Sequence, residues 1–317
     1  MASSVTLPGG GTVKYSLPVG ADASAALTTA IKSEFTAAGK NTTMNVVDSK
    51  AAGKTGFFNA VLNKGGAGNV ALTAGTGVQA IFDIGTGKDT LTGSTSTTLI
   101  YGNATATKGD AINVAGKTTV FGTAGNDTLT VTNGNATAYL EGGTNSVVLK
   151  GTADTISIAG TGNAFITVNA STKATIVGGS GVTDVTLSTG KSSVTGGSGK
   201  MSVVGGTGAF SFTHGKSGSD TITVTKATGV DTLAGALGKT GTDVFNLAAK
   251  AGGKFDITSF SGSADKIVIA GATTSQITAA LKTAHTVKAG GSVTTTLTIG
   301  TDKITVVGGA LTKTNFT

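Results

Sequence analysis

Apolar and polar positions recur along residues 129–230 with a period of eighteen. One column of apolar residues runs Leu140, Ile158, Ile176, Val194, Phe212 and Val230, and a second runs Leu129, Val147, Phe165, Thr183 and Met201. A glycine column, Gly142, Gly160, Gly178 and Gly196, stands between them, with a short polar column of Asp127, Asn145 and Asn163 beside it. A fixed period with one apolar residue, one glycine turn and one Asx per half-period describes a chain wound into coils that stack like on like. The pattern therefore predicts an all-β fold, a parallel β-solenoid of about 18 residues per coil. Coils stacked about 4.8 Å apart bury one narrow core that no single coil could bury alone. Leu140, Ile158, Ile176, Val194 and Phe212 are its expected core residues.

From about residue 70, short apolar strands alternate with glycine-rich turns at intervals near nine residues, as in Val70-Ala-Leu-Thr, Leu99-Ile-Tyr, Ile112-Asn-Val and Ile222-Thr-Val. The first 65 residues differ. They hold both prolines, Pro8 and Pro18, and a stretch from about 22 to 38 in which Leu27, Ile31 and Phe35 make one apolar stripe of an amphipathic helix. This segment is expected to be a small α/β cap over the first coil or, through Leu27, Ile31 and Phe35, an assembly element. The expected organisation is thus a cap over 1–65, a solenoid over 66–240 and a C-terminal module over 241–317.

Composition sharpens the picture. Among 317 residues only 12% are charged, while 51 are glycine and none is cysteine, so neither disulfides nor thiolate metal sites are available. The net charge of +7 comes from lysine alone. Without arginine, and with 5% aromatics, the chain lacks the usual tools for reading bases, which argues against a nucleic-acid partner. Lysines placed beside turn glycines, as in Gly190-Lys191 and Gly199-Lys200, keep the surface soluble and offer attraction for anionic polysaccharide or cell-surface glycan. No apolar run approaches the ~20 residues a membrane-spanning helix needs, and the N-terminus has neither a basic nor an apolar signal region.

The turns also carry a family resemblance. Gly122-Thr-Ala-Gly-Asn-Asp-Thr-Leu129 resembles the glycine-rich, aspartate-containing nonapeptide of RTX (hemolysin-type) proteins, and Gly215-Lys-Ser-Gly-Ser-Asp-Thr-Ile222 is a weaker copy. Gly241-Thr-Asp-Val-Phe-Asn-Leu, followed by Phe255-Asp-Ile-Thr-Ser-Phe-Ser-Gly-Ser-Ala-Asp-Lys-Ile267, is similar to the module that closes many RTX chains. About half the chain is covered. The resemblance implies export by a type I exporter that reads the C-terminus, and a protein of the cell surface or biofilm matrix.

RTX coils bind calcium, which needs six to eight oxygens. Here 14 Asp and 2 Glu are spread over the whole chain, and Asp127 is followed one coil on by Asn145 and then Asn163. A fully calcium-loaded roll is not expected, and cofactors are expected to be none beyond one or two residual calcium sites at Asp127 or around Asp220 and Asp231. Asp127, Asn145 and Asn163 read instead as a hydrogen-bonded ladder without metal. His214 and His285 stand far apart; His214 reads as an exposed turn residue. No nucleophile elbow or phosphate loop is present. Asp154 and Asp184, the acids nearest to a pair on neighbouring coils, do not share a register. The chain is therefore read as a structural, non-enzymatic protein that associates with itself into a fibre or lattice. The alternatives are a monomeric glycan- or ice-binding adhesin module and a polysaccharide-modifying enzyme.

Overall fold

A computed structural model describes residues 66–169, 173–225, 229–236, 238, 240–248 and 253–317, together with the backbone of the strands Ala2–Thr6, Thr12–Ser16, Met44–Val47 and Phe58–Asn63. The helical stripe of Leu27, Ile31 and Phe35 lies outside the described residues. The chain divides into two compact units, 1–165 and 166–317.

In the first unit, strands fall alternately into two parallel sheets, as a chain winding around a core requires. One sheet pairs Phe58–Asn63, Ala80–Asp83, Leu99–Tyr101, Thr118–Phe121, Ala136–Leu140 and Ala153–Ile158 in sequence. The other pairs Ala71–Thr73, Thr90–Thr92, Ala111–Val114, Thr128–Val131 and Thr144–Leu149. This is a parallel β-solenoid. The strands are short and built from Thr-Leu-Thr, Ala-Ile-Asn-Val and similar β-formers, whose alternation sends every second side chain inward. Leu72, Leu91, Ile112, Leu129 and Val147 stack as one fully buried column, at steps of 19, 21, 17 and 18 residues. Turns absorb the variation in step length while the strands keep register.

The second face of the first sheet holds a column that the eighteen-residue spacing hides. Phe82, Tyr101 and Phe121 stand opposite one another on successive strands and are buried, and Tyr139 continues the row, its ring stacked on Phe121 at 5.2 Å and 8°. Such stacking adds to the area term in holding neighbouring coils together.

The second unit repeats the plan. Lys173–Val177, Ser192–Thr195, Phe210–Thr213, Val230–Ala234, Lys254–Phe260 and Asp302–Gly308 form one parallel array. Thr183–Thr186, Met201–Gly205, Thr221–Val224, Val244–Ala248 and Lys266–Ala270 form the other. Ile176, Val194 and Phe212 are stacked and buried as expected, as are Leu140 and Ile158 in the first unit. Two members of the longer columns differ. Val230 is 44% exposed, because Phe212 pairs with Leu233, so three more residues are spent in that coil. Phe165 is 53% exposed, and its neighbours Ala164 and Ile166 are buried instead. The Asn163 N–H donates to the Gly143 carbonyl, so the coil that includes Gly160 is one residue longer and the side chains of the strand Asn163–Val168 change face. Gly160 itself turns at φ +64°, a conformation glycine takes without strain.

Coils give way to a different ending after Ala270. The helix Thr274–Thr283 starts on a capping box between Thr273 and Gln276. Beyond it the chain reverses twice: Ser292–Ile299 pairs antiparallel with Asp302–Gly308, and His285–Ala289 pairs antiparallel with Ser292–Ile299. Phe316 bridges in parallel to Ile267, closing the last strand of the other array. His285–Ala289 is the outermost strand of its sheet, and all five of its residues are exposed.

Close stacking makes some turn glycines irreplaceable. A Cβ on Gly197 would lie on the carbonyl oxygens of Gly179 and Gly178, and one on Gly215 would lie on those of Gly197 and Gly196. Backbone cannot yield as a side-chain tip can. Gly197→Ala is therefore expected to destabilise the protein by about 2 kcal/mol or more, read as a lower urea midpoint, whereas alanine at Gly271, where nothing lies within 4 Å but φ is +74°, is expected to cost only about 1 kcal/mol.

Candidate functional site

Among the described residues ten aspartates are buried, and most of them occupy one structural position: two residues before an inward-facing apolar residue. Asp89 precedes Leu91, Asp110 precedes Ile112, Asp127 precedes Leu129, Asp154 precedes Ile156, Asp220 precedes Ile222, Asp231 precedes Leu233 and Asp243 precedes Phe245. At this point the chain has rounded a turn and the strand's own ladder has not begun. The N–H at the same position of the preceding coil would be left buried and unmet.

The carboxylate supplies the missing acceptor. Asp89 Oδ1 accepts from the Val70 N–H at 2.6 Å, Asp110 Oδ1 from Asp89 at 2.9 Å, Asp127 Oδ1 from Asp110 at 2.8 Å, and Asn145 Oδ1 from Asp127 at 2.9 Å. The same bond recurs on the other sheet, from Ala136 to Asp154 and from Phe210 to Asp231, and in the second unit from Met201 to Asp220, Asp220 to Asp243 and Asp243 to Asp265. Ser192 takes the position with its hydroxyl, accepting from Ala174 at 3.3 Å.

Asp127 and Asn145 thus belong to a ladder running along the coils, as expected, and it extends back to Asp110 and Asp89. Asn163 is not its next rung: the one-residue shift puts it beside Thr144 and brings the buried Ala164 to the rung position. Asp220 and Asp231 serve different sheets, the first holding Met201 and the second Phe210, so the residues expected around one ion stand on separate ladders. Asp154 is a rung, while Asp184 lies on the outward side of its strand and is half-buried.

Burial shifts these acids. Desolvation pushes Asp110 up to about 8, and the carboxylates of Asp83, Asp127 and Asp89 add to the rise against the hydrogen bond from Asp89. Burial likewise raises Asp127 to about 6, opposed by bonds from Asp110 and Thr123, and raises Asp231 to about 6. Asp154 is also raised by burial. Oxygens of Asp83, Asp89 and Asp110 lie within 4.8 Å of one another, so a proton on Asp110 relieves like-charge repulsion.

The largest departure from expectation is His214. It is 1% exposed rather than a surface turn residue. Its Nδ1 lies 3.0 Å from Asp243 Oδ1 and 3.3 Å from Asp220 Oδ2, and its Nε2 lies 3.3 Å from the Thr240 carbonyl oxygen. The sequence carries one clue to this placement: His214 follows the inward Phe212 by two residues, so strand alternation directs both to the same side. His285, by contrast, is exposed on the outermost strand.

No family model matches the chain, and neither a curated protein nor a solved structure matches it.

Proposed function

We propose that this is an exported bacterial structural protein that associates with itself, through strand edges, into a fibre or lattice at the cell surface or in the biofilm matrix. The observation that carries the reading is the strand His285–Ala289, which pairs on one side only and exposes every side chain, including Val287 at 45%. An unpaired strand edge offers a row of donors and acceptors to a second copy of the chain, and proteins that must stay monomeric cover or charge such edges. Lys288 is the single charge in the strand that faces this role. The resemblance of residues 122–129, 215–222 and 241–267 to RTX repeats and their closing module supports export by a type I exporter. Lysine-bearing turns favour anionic polysaccharide as the surrounding matrix. No described helix is long and apolar enough to cross a membrane.

Negative-stain microscopy of the full chain, with calcium and with a chelator, tests this reading. Filaments or sheets are expected in both preparations. Val287→Lys, which adds a second adjacent positive charge at the edge, is expected to leave the circular dichroism spectrum unchanged and to reduce assembly at least tenfold by light scattering. Single particles in the wild-type preparations, or assembly by Val287→Lys equal to wild type, would remove the edge from consideration.

A further inference from the structure

His214 stands in a position that calls for a cation. The Thr240 carbonyl can only accept, so the hydrogen bond at Nε2 requires an N–H there. In the neutral ring the lone pair then lies on Nδ1, which faces two carboxylate oxygens, Asp243 Oδ1 at 3.0 Å and Asp220 Oδ2 at 3.3 Å. Three electron-pair donors then face one another. One donor atom from each residue lies within 4.8 Å of the other two, and all three residues are buried.

A proton on Nδ1 answers part of this, but it points along one line. Asp243 Oδ2 is buried and accepts no hydrogen bond, and Asp220 Oδ2, also buried, has His214 Nδ1 beside it at 3.3 Å, while each group's Oδ1 holds a backbone N–H. A divalent ion uses the pairs that a proton leaves idle. Around a tetrahedral ion with bonds of about 2.0–2.1 Å, neighbouring donors lie about 3.3 Å apart, and the two carboxylate oxygens lie 3.0 and 3.3 Å from Nδ1. Two carboxylates and an imidazole also match the charge of a dication. The Nε2–H bond to Thr240 is the outer-shell contact that orients a ligating histidine and leaves Nδ1 free to bind. Glycines frame the cluster: a Cβ on Gly241 would come within 3.0 Å of His214 Cε1, and one on Gly196 within 3.0 Å of Asp220 Oδ2.

We propose that His214 Nδ1, Asp220 and Asp243 form a binding site for a first-row transition dication of the Zn2+ type, tying together neighbouring coils of the second unit. The donor set separates it from a calcium site, which takes six to eight oxygens and no imidazole. The site is independent of self-assembly and stands whether or not the chain polymerises.

The test is calorimetric titration of the full chain, stripped with a chelator, with Zn2+ at pH 7.5. One ion per chain at micromolar affinity or tighter is expected. Asp220→Asn keeps an oxygen for the Met201 N–H and removes the ligating Oδ2; it is expected to weaken zinc at least tenfold with an unchanged circular dichroism spectrum. His214→Gln is expected to do the same, and if either variant fails to fold the other decides. Asp154→Asn, on a ladder without histidine, is expected to bind zinc as wild type does. Co2+ substituted for Zn2+ is expected to give visible ligand-field absorption that His214→Gln abolishes. Absence of zinc binding by the wild type, or binding undiminished in the folded Asp220 or His214 variant, overturns the proposal and leaves a buried imidazolium as the occupant.

Discussion

Replacing Asp127 with alanine is expected to cost the first unit about 3 kcal/mol or more, the largest loss from any single side chain in its ladder. The carboxylate accepts three hydrogen bonds, from the Asp110 N–H at 2.8 Å, the Thr123 N–H at 2.9 Å and the Thr123 hydroxyl at 2.8 Å. Alanine leaves those donors buried without acceptors, and each unmet donor costs about 1–3 kcal/mol. Asparagine is expected to cost less, about 1–2 kcal/mol. It keeps an oxygen for Asp110 but turns an NH2 group toward Thr123. At position 145 asparagine is comfortable because the Gly142 carbonyl receives its amide at 3.0 Å. Urea unfolding of the three proteins checks the order, and an alanine variant as stable as asparagine would show that the rung bears no such role.

Stability is expected to fall as pH rises from about 5 to 8.5 in the presence of a chelator. Asp110, Asp127, Asp231 and Asp154 all have folded-state pKa values above the usual 3.8, with burial as the leading cause. Between 3.8 and the raised value the folded chain holds a proton that the unfolded chain has released. Folding is therefore favoured by acid in this window, and stability drops by about 1.4 kcal/mol per pH unit for each proton so held. The penalty is absent below pH 3.8, where both states are protonated. It is complete for Asp127 and Asp231 above about 6 and for Asp110 above about 8. The urea midpoint measured at pH 5 and 8.5 decides the sign; a midpoint that rises across this range would contradict the burial of these groups. Asp110→Asn is expected to flatten the upper part of the curve, since it removes the group that releases its proton near 8.

Much of this fold is readable from the chain because stacking repeats each side-chain environment, so Leu129 and Val147, or Val194 and Phe212, must have the same character. Register is harder to read. One extra residue in a turn costs little there but exchanges the two faces of the next strand, which is why Phe165 looks like a core residue by counting and lies at the surface. The aromatic row Phe82, Tyr101, Phe121 and Tyr139 escapes a fixed period for the same reason, its steps being 19, 20 and 18 residues. A local rule survives where counting fails: an aspartate two residues ahead of an inward apolar residue marks a rung wherever the turns put it. His214 obeys no repeat. Its partners Asp220 and Asp243 come from different turns, and only the winding of the chain brings them together.

The buried rungs also give the stack a direction. In every one, the acceptor belongs to the later coil and the N–H to the earlier: Asp89 serves Val70, Asp127 serves Asp110, Asp243 serves Asp220. The asparagines at the surface run the other way, as when Asn126 accepts from Thr144, but water can stand in for them. The two cut ends of such a stack are consequently unlike. Removing a later coil exposes a backbone N–H, whereas removing an earlier one exposes a carboxyl group, so the two faces meet solvent or a partner with opposite hydrogen-bonding character. Within each unit a cut on the C-terminal side of a coil therefore presents a donor, and a cut on its N-terminal side a carboxyl group.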